Sequence, residues 1–187
     1  MKKAFLTTLL ILSVFLSLSA QNDVLPNLMT KGTNMGSLGI GLPAIGSGYS
    51  MTIPPISAFY EVGILDFGRP GSVAVGAHAG FWGYRYKTTI GDYNATYRYF
   101  NTLVGVRGTY HFTILENWEV YGGAVLGLKL ESNRHKDNIG TVASNTHVRF
   151  GWQALGGTRY MFTPYLGAFV EAGYGFTIAT IGVSYRF

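Results

Sequence analysis

Few side chains in this 187-residue chain could do chemistry. Lys and Arg together number fourteen, Asp and Glu nine, His four, and there is no Cys. Lack of Cys excludes disulfides, thiolate metal sites, a cysteine nucleophile and a lipid-modified N-terminal cysteine. His78, His111, His135 and His147 form no H-x-H or H-x-x-x-H pair, so no metal site is expected. His135 and Asp137 in RHKDN read as a solvated loop. Gly39-Ile40-Gly41 and Gly173-Tyr174-Gly175 precede no helical pattern, so no phosphate loop or dinucleotide site is expected, and no cofactor. The basic residues are scattered rather than striped, which argues against nucleic acid. What remains is one set of charges: Glu61, His78, Arg107, Lys129, Glu131, Arg149, Arg159 and Glu171. Their chemistry depends on whether the chain brings them together.

The elements that would position them alternate. Eight stretches, near 35–45, 55–66, 73–86, 97–112, 118–131, 146–162, 165–174 and 177–187, set large apolar residues against small or polar ones. Period 2 is the signature of a strand. Ile56, Ala58, Tyr60, Val62 and Ile64 oppose Ser57, Phe59, Glu61 and Gly63. Phe100, Val104, Val106 and Tyr110 oppose Asn101, Gly105, Arg107, Thr109 and His111. The charges fall on the glycine side, and the other side is aliphatic with aromatics near the strand ends. A soluble sandwich puts its charge outside; here the polarity is inverted.

An inverted sheet in hydrocarbon must pair every backbone group, so it must close. The expected fold is all-β: an eight-stranded antiparallel up-and-down transmembrane barrel over 35–187. Alternating short and long connections agree with short periplasmic turns and longer external loops, the latter at 46–54, 87–96 and 132–145. An interior this narrow is filled by side chains, and isolated buried charges are costly. Glu61 and Glu171 are therefore expected to contact Arg107 or another inward cation. Closure removes sheet edges, which favours a monomer.

The N-terminus follows other rules. Lys2 and Lys3 precede an apolar run from Ala4 to Leu18, then Ser19-Ala20-Gln21. This pattern predicts a secretory signal peptide over 1–20, cleaved after Ala20 or Ser19, and a periplasmic segment over 21–34. Without Lys2 and Lys3 the chain keeps twelve basic residues against nine acidic, so the mature protein is only mildly cationic. Gly, at 26 residues, is about twice its usual share, and charge, at 12%, about half.

The ending VSYRF resembles the C-terminal assembly signal of outer-membrane barrels, with Ile181, Val183, Tyr185 and Phe187 at its alternate apolar positions. With PPISAFYEVGI (54–64), VGVRGTYHF (104–112) and FVEAGYGFTIATIGVSYRF (169–187), the chain resembles the small porin-like outer-membrane β-barrel domain family of Gram-negative bacteria. The resemblance implies location in the cell outer membrane, contact with its lipid and lipopolysaccharide, and delivery to the barrel-assembly machinery through the last strand. It also implies a choice of roles: structural or adhesive protein, small channel, or lipid A-modifying enzyme. No peptidoglycan-binding module of the anchor type is expected. Barrel deacylases use an outer-surface Ser/His pair; His111-Phe112-Thr113 is the nearest match, with Thr for Ser and at the periplasmic rim. No catalytic residue is assigned. The expected function is structural or interactive, exerted through the external loops. A narrow channel or small-solute porin is the alternative, and a lipid A-modifying enzyme a more distant one. The external ligand is not readable from the sequence.

Overall fold

A computed structural model describes residues 27–43, 50–68, 71–90, 93–137 and 142–187. The predicted signal peptide lies outside the described residues. Eight strands form one closed antiparallel barrel in sequence order: β1 (Asn34–Pro43), β2 (Ser50–Asp66), β3 (Ser72–Ile90), β4 (Tyr93–Leu115), β5 (Trp118–Asp137), β6 (Val142–Met161), β7 (Leu166–Tyr174) and β8 (Thr177–Arg186). β1 pairs with β8 from Met35↔Arg186 through Leu42↔Ala179, which closes the cylinder.

Alternation sets the faces. The outer wall carries Val106, Leu126, Phe150 and Ile181, each more than half exposed. The inner wall carries Glu61, Arg107, Glu119 and Arg159, each 0% exposed. Solvent exposure of aliphatic side chains beside complete burial of charge is the polarity of a bilayer-spanning barrel. Phe169 points inward over Gly39 and Gly182, where any Cβ would strike its ring; glycine there makes room for the phenyl group.

The strands are unequal. β3, β4, β5 and β6 have 19, 23, 20 and 20 residues, whereas β1, β7 and β8 have 10, 9 and 10. This corrects the expected loops at 87–96 and 132–145. The ladder runs on through Ile90↔Tyr93 and Lys136↔Val142, so most of both segments is strand. The segment 46–54 is strand from Ser50 onward, and residues 44–49 lie outside the described residues. Tyr and Thr favour strands whether or not one face is apolar, and above a bilayer neither face needs to be. The result is a sheet of β3–β6 rising beyond the closed barrel. At about 3.3 Å per residue, ten extra residues add roughly 33 Å along a strand.

The barrel closes as expected, but its longest strands outrun the closure. β7 pairs with β6 only from Ala154↔Tyr174 to Met161↔Gly167. Above Trp152, β6 has no partner strand on that side among the described residues. The short β7–β8 hairpin, turning at Gly175 with φ of 120°, leaves that edge open.

Candidate functional site

The lumen is built in three layers. At the lower mouth residues 27–33, just before β1, fold inward across the opening. The Gly32 N–H donates to the Gly63 carbonyl and the Gly63 N–H to the Thr33 carbonyl, both at 2.9 Å. The Leu28 N–H donates to Thr113 Oγ1 at 2.9 Å, and the Asn27 amide donates to Asp66 and to the Gly68 carbonyl. These bonds press Met29, 0% exposed, against Met35 and Ala74.

Above this plug lies a charged layer. Arg107 Nε donates to Glu61 Oε1 at 3.0 Å, and its Nη2 donates to Glu171 Oε1. Arg159 Nη1 donates to Glu119 Oε1 at 2.6 Å, its Nη2 to Glu61 Oε2 at 3.3 Å and its Nε to Ser184 Oγ at 3.0 Å. Glu61 thus bridges both guanidiniums, and the lattice ties β2, β4, β5, β6, β7 and β8 across the lumen. The Thr109 hydroxyl donates to Glu61 at 2.6 Å, so it accepts from His111 Nε2 at 2.9 Å, which fixes a proton on that nitrogen. Rings cover the guanidinium faces. Phe59 lies 4.0 Å from Arg107 Cζ and Tyr121 4.9 Å from Arg159 Cζ. The Tyr121 hydroxyl donates to Glu171 at 3.0 Å.

The third layer is apolar: Trp82, Leu103, Tyr121, Val125, Leu155 and Phe176 pack together over the charges. Together the layers leave Arg107 and Arg159 fully buried.

Of the eight charges singled out in the sequence, the structure joins Glu61, Arg107, Arg159 and Glu171. His78 is buried in the same lumen but outside the lattice; it stacks near Phe59, and its ring nitrogens have no hydrogen-bond partner among the described residues. Lys129, Glu131 and Arg149 stand apart from the lattice, beside the apolar layer, where Lys129 is the cross-strand partner of Leu103. Lys129 Nζ meets Glu131 at 2.8 Å and Arg149 Nε meets it at 3.6 Å, with Arg149 68% exposed. Glu119, His111, Thr109 and Tyr121 complete the lattice and were not grouped with it in the sequence. Their inward parity was the available signal, but strand stagger hid their level. His111 is walled in by Glu61 and Glu119, and Thr113 is held by the plug, so neither sits at an outer rim as a nucleophile pair requires. Among the described residues no group of His, Asp and Glu is placed to hold a metal ion.

A second constellation lies on the projecting sheet. Its inner face carries Tyr84 stacked on Tyr99 at 4.7 Å, Tyr86 beside Tyr97, and Tyr97 against His135 at 4.5 Å. A cleft of about 460 Å³ runs along Tyr97, Tyr99, Asn133, His135 and Asn145, with Arg98 and Arg134 also on its lining. Phe100 instead faces outward, 40% exposed, in the upper aromatic belt; the Tyr93 side chain lies outside the described residues. Ile181, Val183, Tyr185 and Phe187 all face outward on or just after β8, each about half exposed or more.

No protein-family model and no curated protein sequence matches the chain. Solved structures do. One is Ail, the attachment invasion locus protein of Yersinia pestis, in complex with the heparin analogue sucrose octasulfate: 13% identity, 84% of this chain, 100% of that one, TM-score 0.52. Others are the N-terminal β-barrel domain of Pseudomonas aeruginosa OprF (14% identity, 84% and 98% covered, TM-score 0.43) and Neisserial surface protein A (13%, 83% and 95%, TM-score 0.41). Closed eight-strand order, apolar outer wall and buried inner charge agree with the first of these likenesses, and the chain has the fold of the small eight-stranded outer-membrane β-barrels.

Proposed function

We propose that this chain is an outer-membrane protein that passes no solute and acts outside the cell, as a surface recognition element carried by the β3–β6 sheet. The carrying observation is the buried lattice of Glu61, Glu119 and Glu171 with Arg107 and Arg159, plugged below by Met29 and covered above by Trp82 and Phe176. A conducting path would have to break charge-assisted bonds between groups that have no water to turn to. The role then falls to what stands above the rim. There the tyrosine-faced cleft and the unpaired β6 edge offer rings and backbone groups to an external ligand. The short strands β1, β7 and β8 offer no comparable surface. C-terminal residues Ile181, Val183, Tyr185 and Phe187 serve assembly through their outward apolar row.

Liposome swelling tests the first half of this reading. Vesicles carrying the folded barrel are expected to swell in isosmotic glucose no faster than empty ones. Swelling that scales with protein content would return the chain to the small-solute porins.

A further inference from the structure

We propose that Arg85, Arg98 and Arg134 form a clamp for the phosphate group of a phosphorylated glycolipid in the outer leaflet. The inference rests on the reading above, in which the long-strand end faces outward from the cell.

The strand register brings the three together. Arg85 is the cross-strand partner of Arg98, and Arg98 of Arg134, with Ser50 flanking one end and Ser144 the other. Directly opposed side chains stand about 5 Å apart, so three guanidiniums form one unbroken row. All three are exposed, and all share the outward parity of Phe81 and Phe100. Like charges opposed on a sheet are unfavourable unless something neutralises them. Nothing in the described protein does: none of the three makes an ion pair there. Among the described side chains the acid nearest the row, Glu131, is engaged by Lys129 and Arg149 instead.

Height on the wall selects the ligand. Below the row come Phe100 with Gly83, then Phe81 with Leu130 and Val148, and then the aliphatic band. Arg98 is two residues from Phe100, about 6.6 Å further along the strand. An arginine row just above the apolar band, on the lipid side of the wall, stands at headgroup height. Planar guanidiniums bind phosphate oxygens in pairs, and the acyl chains of the same molecule would lie on Phe81 and Leu130. A soluble anion would gain nothing from that apolar floor, so the geometry favours a membrane-resident phosphate.

The test titrates the detergent-folded mature barrel with fluorescent bisphosphoryl lipid A, its dephosphorylated form and inorganic phosphate. Wild type should bind the bisphosphoryl lipid at least about tenfold more tightly than the dephosphorylated lipid, as loss of charge-assisted bonds requires. The Arg98→Gln, Arg134→Gln double variant should lose a similar factor, while Arg149→Gln should not. Heat-modifiable gel migration reports whether each variant has folded; if the double variant does not fold, the two lipids on wild type still decide. Equal affinity for both lipids, unchanged affinity in a folded double variant, or competition by millimolar inorganic phosphate would overturn the clamp. Because the chain has no Cys, Ser144→Cys labelled on whole cells by an impermeant maleimide reads orientation separately. No labelling would count against the outward reading, and against the clamp with it.

Discussion

Arg107 donates to Glu61 through Nε and to Glu171 through both terminal nitrogens, and all three side chains are buried. Removing that one cation strands two carboxylates. Arg107→Met is expected to destabilise the barrel by about 3–5 kcal/mol, measured by urea unfolding in lipid vesicles. Adding Glu61→Gln and Glu171→Gln should recover much of the loss, because a neutral interior has no unpaired charge. Arg149→Gln, exposed to water, should stay within about 0.5 kcal/mol of wild type in the same assay. Packing is as specific as charge. Gly39→Val would drive a side chain into the Phe169 ring and Thr180, for a loss of about 1–3 kcal/mol that Phe169→Leu should partly relieve. At this scale the sequence was partly legible. Parity placed Glu61, Arg107, Arg159 and Glu171 inside, but tilt and stagger blurred heights, so Glu119 was not joined to them in one lattice.

Strands were legible wherever one face had to meet lipid. The alternation in β2 and in the lower halves of β4 and β5 follows directly from that demand. The strand within 87–96 and 132–145 was not legible, because Thr, Asn, Ser and charged residues fall on both faces there and no apolar face marks the strand. The inward-folded stretch from Asn27 to Thr33 was missed for a related reason: it is neither strand nor helix and carries no period. If the projecting sheet is separate from the barrel in folding, it can be trimmed. Replacing residues 86–97 and 134–144 by Asn-Gly turns should leave a heat-modifiable barrel whose thermal midpoint stays within a few degrees of wild type. Failure of that shortened chain to fold in detergent would mean that the sheet belongs to the folding unit.

The whole molecule divides its work by height: an apolar-walled cylinder that holds the bilayer, an interior closed in three layers, and a sheet beyond the rim. Deleting the segment that holds Met29 removes only the lowest layer, so the truncated barrel should still block ions while unfolding at lower urea. The proposed function stands on the closed lumen, and single-channel recording in a planar bilayer reads it most directly. The refolded mature barrel should give a flat baseline at several hundred millivolts. Discrete, reproducible steps abolished by substituting Arg107 or Glu171 would show a gated pore and contradict the proposed closed lumen.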